Sequence, residues 1–221
     1  MGTVRGSSEL ERGVQPRRQP VQARSRERVE RILDAAAQLL AEDGYDAVKT
    51  NAIAKRADVS IGSVYQFFPN RFAIFNALAE RYRSKINLSL EQHLSADSTA
   101  SWEQAIDDTI DSLAELWRSD WAVHSVWLAI QNTAELRESS ESYRDTLINS
   151  PLAAFLGRLL PHLPHEQVRT VGRVVLETSN LLLDFSMRGG PEQDGQIIDE
   201  LKLLLYRYLK GHVDTATESG V

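Results

Sequence analysis

Residues 50–68 read TNAIAKRADVSIGSVYQFF, and this stretch decides how the first part of the chain folds. Apolar residues recur at helical spacing in two short segments, 51–57 and 60–67. A tight turn at Asp58-Val59 separates them, and Ser60 can cap the second segment at its N-terminus. Two short helices joined by a turn of three or four residues are typical of a helix-turn-helix. The sequence therefore predicts this motif here.

The second of these helices carries side chains suited to a DNA major groove. The amide of Gln66 can pair with adenine, and the hydroxyl of Tyr65 can donate to a phosphate. Ile61 is apolar at an expected exposed position, which suits contact with a thymine methyl group. Gly62 and Ser63 are small enough to let the backbone approach phosphates or base edges. The pattern predicts double-stranded DNA as a partner.

Helical periodicity continues on both sides of this motif, and no alternating run is long enough to predict a strand. We predict an all-α fold of about nine helices. In the stretch 142–160, Pro151 either kinks one helix or starts a new one capped by Ser150. The expected helices span roughly 25–43, 51–57, 60–67, 71–94, 101–118, 121–136, 142–160, 166–187 and 192–209.

Composition narrows the class of protein. The 221 residues are 42% apolar and 25% charged, with no cysteine, so disulfides and thiolate metal sites are excluded. No apolar run approaches the roughly 18 residues that a membrane span needs, and no secretory signal is recognisable. Residues 1–24 are polar and rich in arginine, which predicts a flexible basic arm. We expect a cytoplasmic protein without membrane partners.

Charge is distributed unevenly along the chain. Residues 1–80 contain 12 Lys and Arg against 10 Asp and Glu, whereas residues 81–221 contain 13 against 21. A basic first part and an acidic second part suit a protein that faces a polyanion at one end. Chance explains a charge asymmetry of this size as well as function does, so the charge supports DNA binding only together with the helix-turn-helix motif.

The stretch from about 26 to 80 resembles the TetR family of bacterial regulators. Asp58 stands where the family has a turn glycine, and aspartate tolerates the left-handed backbone conformation of such a turn. Arg71 replaces the usual lysine, and Phe72 replaces a common acidic residue. The matching elements are Ile32-Leu33-Asp34-Ala35-Ala36, Gly44-Tyr45, Ile53-Ala54, Ala57-Asp58-Val59-Ser60, Gly62-Ser63-Val64-Tyr65 and Phe67-Phe68-Pro69-Asn70-Arg71.

The resemblance implies a DNA-binding head at 25–70 and a ligand-binding and dimerisation domain at 71–211, followed by a disordered tail at 212–221. It also implies that the start of the second helix and the third helix contact DNA. Arginines of the arm could add contacts, although solvated disorder is an equal alternative for Arg17 and Arg18. The implied DNA contacts are Thr50, Asn51, Ser60, Ile61, Gly62, Ser63, Tyr65, Gln66, Phe67 and Arg71.

The last two helices are expected to form a homodimer, as the resemblance implies. Their broad apolar faces support this independently, although ordinary packing within one chain must use some of the same residues. Two-fold symmetry would place paired recognition helices in successive major grooves. The predicted interface residues are Val171, Val174, Val175, Thr178, Leu182, Ile197, Leu201, Leu205 and Tyr208.

A small-molecule effector, apolar or aromatic, is implied for the C-terminal domain. Tryptophans cluster in sequence within the fifth and sixth helices, where aromatic walls with a polar group suit an apolar pocket. Tryptophan at helical spacing is more often simple core, and His162 with His165 is too small a set for a metal site. The candidate ligand residues are Trp102, Trp117, Trp121, His124 and Trp127.

No motif of an enzyme stands out. The chain has no glycine-rich phosphate loop, no G-x-S-x-G elbow and no H-E-x-x-H pair, so no catalytic residue, metal or cofactor is predicted. We expect a repressor that a ligand releases from a palindromic operator. An activator or a ligand-strengthened repressor fits the same sequence, and a helical interaction module without DNA binding is a weaker alternative.

Overall fold

The computed structural model describes residues 23–96, 100–133, 136, 150–188 and 191–218. Within these ranges all regular structure is helical, which confirms the all-α prediction. A 3₁₀ turn follows the first helix at Tyr45–Ala47. The predicted arm, up to residue 22, lies outside the described residues, as do residues 142–149 of the predicted seventh helix. The described α-helices are α1 (Ala23–Asp43), α2 (Thr50–Arg56), α3 (Ile61–Phe67), α4 (Arg71–Leu94), α5 (Trp102–Ser119), α6 (Trp121–Asn132), α7 (Pro151–Leu159), α8 (His165–Ser186) and α9 (Pro191–Glu218).

The chain divides into two compact units. The first takes its described residues from 1–84 and 121–138, and the second takes its own from 85–120 and 139–221. The DNA-binding segment predicted at 25–70 therefore packs together with the first half of α4 and with α6. Because α4 contributes to both units, the two are joined by a continuous helix.

In the first unit, α1 buries one face against α2 and α6. Ile32 and Ala36, four residues apart, have no exposed surface. The helix ends at Gly44, whose φ of 78° and ψ of −178° suit glycine alone, and whose amide donates to the carbonyl of Leu40 at 3.1 Å. The helix stop predicted from Gly44 is thus confirmed.

In the second unit, α8 packs along α9, and α5 and α7 pack on α9 and α8 respectively. Arg118 bonds Asp194 at 2.7 Å and Lys202 pairs with Asp111 at 2.7 Å, which ties α5 to α9. The final helix runs to Glu218 and not to about Leu209. The expectation of a disordered tail from residue 212 is therefore wrong as far as residue 218.

Serine caps set two of the helix starts as the sequence predicts. The hydroxyl of Ser101 accepts from the amide of Gln104 at 3.2 Å, and that of Ser150 accepts from Ala153 at 3.3 Å. Pro151 follows Ser150 as the first residue of α7, so a new helix begins there. No described helix is long and apolar enough to cross a membrane.

Candidate nucleic-acid interface

The helix-turn-helix lies within the first unit. Asp58 adopts φ 52°, the left-handed conformation expected where the family has glycine, and the amide of Val59 donates to the carbonyl of Ala54 at 3.0 Å. The hydroxyl of Ser60 accepts from the amide of Ser63 at 3.1 Å and so caps α3. These local bonds set the angle at which α3 leaves α2.

One face of α3 is exposed and chemically mixed. Ile61 and Tyr65, four residues apart, are 38% and 44% exposed, and Gly62 and Gln66 lie beside them at the surface. A Cβ atom built on Gly62 would meet only the Ser60 hydroxyl oxygen, at 3.9 Å. The fold of this chain therefore does not require glycine at 62. Glycine leaves the helix backbone uncovered at this point, whereas the neighbouring residues on the face carry side chains. Another molecule can therefore approach the backbone closely here.

The opposite face of α3 is core. Val64 is fully buried, and Phe67, three residues later, is 3% exposed. The inclusion of Phe67 among the DNA contacts is therefore wrong, since helical spacing from Val64 turns its ring inward. Phe68 is 1% exposed, which agrees with its predicted core position.

The start of α2 faces the same region. Asn51 is exposed, and the hydroxyl of Thr50 lies 3.3 Å from the phenol oxygen of Tyr65. Thr50 is the first helical residue of α2, and Lys49 occupies the cap position without a side-chain bond. The Thr50 hydroxyl links α2 to the exposed face of α3.

Arg71 is positioned by residues that sequence reasoning missed. Its guanidinium stacks over the ring of Tyr45, 4.6 Å from the centroid, and the side chain is half-buried. Asn70 caps α4, since its side-chain oxygen accepts from the amide of Ala73 at 2.8 Å. Asparagine before a helical run is a recognisable cap signal. The contact with Tyr45 is long-range and left no signal in the sequence. A cation beside a helix N-terminus suits a phosphate.

The candidate effector residues are divided between the two compact units. Trp117 is 2% exposed and Trp102 stacks on Tyr206 with centroids 5.6 Å apart, both within the second unit. In the first unit, the ring of His124 lies 6.4 Å from that of Trp127 in a stacked arrangement. Trp121 is 66% exposed. Of the five, His124 and Trp127 best retain the predicted pairing of a polar group with an aromatic wall.

The predicted dimer residues separate into two groups. Four of them, Val171, Val175, Leu201 and Leu205, are at most 4% exposed and form the core of the second unit. Assigning them to an interface is therefore wrong, because they already pack within one chain. Val174 is 40% exposed, and Leu181 and Phe185 on the same flank are 61% and 46% exposed. Leu204 of α9 is 43% exposed, and Thr178, Leu182, Ile197 and Tyr208 are half-buried.

The geometry agrees with similarities to known proteins. Residues 32–78 match the family described as bacterial regulatory proteins, tetR family, and residues 101–209 match the tetracyclin repressor-like C-terminal domain. A TetR-family transcriptional regulator from Streptomyces coelicolor is 33% identical, with a TM-score of 0.64 over 84% of this chain and 97% of that one.

Two curated relatives are similar over shorter stretches. The HTH-type transcriptional repressor KstR of Mycobacterium tuberculosis is 36% identical over 74 residues, 34% of each chain. The fatty acid metabolism regulator protein of Bacillus subtilis is 31% identical over 128 residues, 58% of this chain and 62% of that protein. The chain thus spans about a third of the length of the first curated relatives that it matches. Together, the domain matches and the full-length structural likeness place this chain in the TetR family of bacterial regulatory proteins.

Proposed function

We propose that this protein is a cytoplasmic, sequence-specific transcriptional repressor that binds a palindromic operator through α3. The observation that carries the proposal is the exposed face of α3, where Gly62 leaves backbone bare between Ile61, Tyr65 and Gln66. Gln66 is the residue suited to read a base, and the Thr50–Tyr65 pair with Arg71 is suited to hold phosphates.

A homodimer is part of this proposal. Val174, Leu181 and Phe185 follow one flank of α8 at spacings of seven and four residues, and all three are at least 40% exposed. A contiguous apolar surface of this kind typically marks a contact between proteins. With Leu204 of α9 it supports a self-complementary interface, which would hold two α3 helices about 34 Å apart in successive major grooves.

We further propose that a small apolar or aromatic molecule releases the repressor from DNA. Stacking of His124 with Trp127 supports α6 as one place for such a molecule. An effector shifts the equilibrium only if it binds the two states with different affinity. Helix α4 would carry the change because it continues from one unit into the other. Activation, or repression strengthened by ligand, would use the same surfaces.

A gel-shift titration with the DNA upstream of the protein's own gene tests the proposal. We expect a saturable complex that survives nonspecific competitor DNA and that weakens steeply with salt, because phosphate contacts release counterions. A variant with Gln66 replaced by alanine should keep its helical circular dichroism but lose discrimination against competitor. If neither this DNA nor a set of other promoters gave a specific complex at low salt, a helical interaction module without DNA binding would be the better interpretation.

A further inference from the structure

An open cleft lies between α7 and α8, entirely within the second unit. Its volume is about 700 Å³, within the range of small-molecule sites. The floor is apolar: Leu152 and Leu156 of α7 and Leu160 beyond it are at most 8% exposed. None of the tryptophans predicted to bind an effector lines this cleft.

The rim of the cleft on α8 carries two arginines. Arg169 and Arg173 are exposed and four residues apart, so their guanidinium groups emerge from one flank of the helix. Arg173 has no ion-pair partner among the described residues. Glu166 and Glu177 line the cleft on either side of the two arginines. Guanidinium groups bind carboxylate and phosphate in a bidentate manner.

The cleft is distinct from the exposed apolar flank of α8. At 3.6 residues per turn, Arg169 and Arg173 lie about 120° around the helix from the row formed by Val174, Leu181 and Phe185. A second copy seated on that row would leave the arginine flank open. Gly172 of α8 packs closely on Leu156 of α7, since an added Cβ on Gly172 would lie 3.2 Å from the leucine Cδ1. This contact holds the two helices together at the bottom of the cleft.

We propose that this cleft binds a small amphipathic anion. An apolar chain of the ligand lies along the leucine floor, and its carboxylate or phosphate is held between Arg169 and Arg173. The ligand is thus a molecule in which an acidic head is joined to a hydrocarbon tail. That it acts as an effector, from a site other than α6, rests on the proposed function, whereas the binding itself does not.

Two variants close or invert the site without touching the core. Gly157 lies in α7 on the cleft, and an added Cβ there meets nothing within 4 Å, so Gly157→Trp fills the cleft from an open position. Arg173→Glu inverts the charge of the unpartnered cation. Gly195→Trp and Arg207→Glu make the same changes at exposed positions of α9 outside the cleft.

Isothermal titration calorimetry of the full chain with dodecanoate, dodecanol and acetate tests the assignment. We expect dodecanoate to bind, dodecanol to bind at least tenfold more weakly, and acetate not to bind. Gly157→Trp and Arg173→Glu should each weaken dodecanoate at least tenfold, while the α9 variants stay within twofold. Absence of dodecanoate binding, or equal binding by all four variants, would overturn the assignment.

The gel shift described above separates this inference from the proposed function. Dodecanoate should dissociate the wild-type complex with DNA but leave complexes of Gly157→Trp and Arg173→Glu intact. Saturable dodecanoate binding by a protein with no DNA affinity would uphold the cleft and reject the repressor. Release of DNA from both variants at the wild-type dodecanoate concentration would count against the cleft as the effector site.

Discussion

Gly62 is a glycine that the fold itself does not require. It lies in α3, where alanine is preferred over glycine by up to about 1 kcal/mol, and no described residue crowds the position. Gly62→Ala should therefore leave the free energy of unfolding unchanged or raise it. The same methyl group should hold the DNA surface away and weaken operator binding roughly tenfold, about 1.4 kcal/mol. Urea unfolding and gel shifts on one protein preparation measure both effects.

Gly195→Ala is the matched control for Gly62→Ala, because Gly195 is also an open helical glycine but lies in α9. It should gain stability without a change in DNA affinity. If Gly62→Ala bound DNA as tightly as the wild type, close backbone approach at this point would have to be abandoned.

Gly44 is a glycine of the opposite kind, required by its backbone and not by its surroundings. Its φ of 78° with ψ of −178° falls where other residues are strained by about 1–3 kcal/mol, although a Cβ there would meet nothing within 4 Å. Gly44→Ala should lower the free energy of unfolding by that amount. Gly157→Ala, in the middle of α7, should instead raise it; equal effects of the two substitutions would disprove the backbone argument.

Single residues were predictable where the signal was local. Asp58 takes the left-handed conformation that its place in the turn implies, and Ser60 caps α3 as its position suggests. Phe67 was wrongly predicted to contact DNA, although its spacing from Val64 already indicated burial. A residue three positions from a buried one lies on the same side of a helix. The contact between Tyr45 and Arg71 could not be predicted from the sequence, because two residues 26 positions apart form no local pattern.

Within α3, Ser60 has one observed and one predicted role: its hydroxyl caps the helix, and it is among the predicted DNA contacts. Substitution can separate the two roles. Ser60→Ala removes the cap of α3 and should cost about 1 kcal/mol of stability. Ser60→Asp keeps a capping oxygen and adds favourable charge at the helix N-terminus, so stability should be retained. The aspartate should nevertheless repel phosphates and weaken DNA binding more than alanine does. Thermal unfolding with parallel gel shifts decides this, and equal DNA affinity of the two variants would place Ser60 away from the DNA.

Apolar periodicity and capping residues predicted where the helices lie. They predicted where a helix begins or ends only where a helix-breaking residue was present. Gly44 stops α1, and Ser150 with Pro151 starts α7, because each signal acts on its own backbone. The extension of α9 to Glu218 had no such signal. A tail was expected from residue 212, yet nothing in the stretch forbids a helix that already exists from propagating.

For the whole molecule, the proposed function requires a dimer, which we have proposed to form on the exposed row of α8. Leu181→Glu places a charge in that row and should convert the protein to monomer, with specific DNA affinity falling at least 100-fold. Leu88→Glu is the matched control, because Leu88 is 65% exposed against 61% for Leu181 but lies on α4. Sedimentation velocity reports the oligomeric state. A Leu181→Glu protein that remained dimeric would show that this row is not the interface.

The sequence could not distinguish packing within a chain from packing between chains. Val171 and Leu201 have the same apolar character as Val174 and Leu204, and only the fold shows which of them are already covered. The tryptophans pose a related difficulty. Trp117 and Trp121 are neighbours along the chain, but they belong to separate compact units. Closeness along the chain does not by itself place two side chains in the same compact unit.

Selection of binding sites from a random pool of duplex DNA, followed by sequencing, is the most direct test that α3 reads an operator. We expect the wild-type protein to enrich a pseudo-palindrome with half-sites about one helical turn apart. The Gln66→Ala protein should enrich the same spacing with a relaxed preference at one position of each half-site. Failure to enrich any palindrome, or enrichment of a site that is indifferent to Gln66, would contradict it.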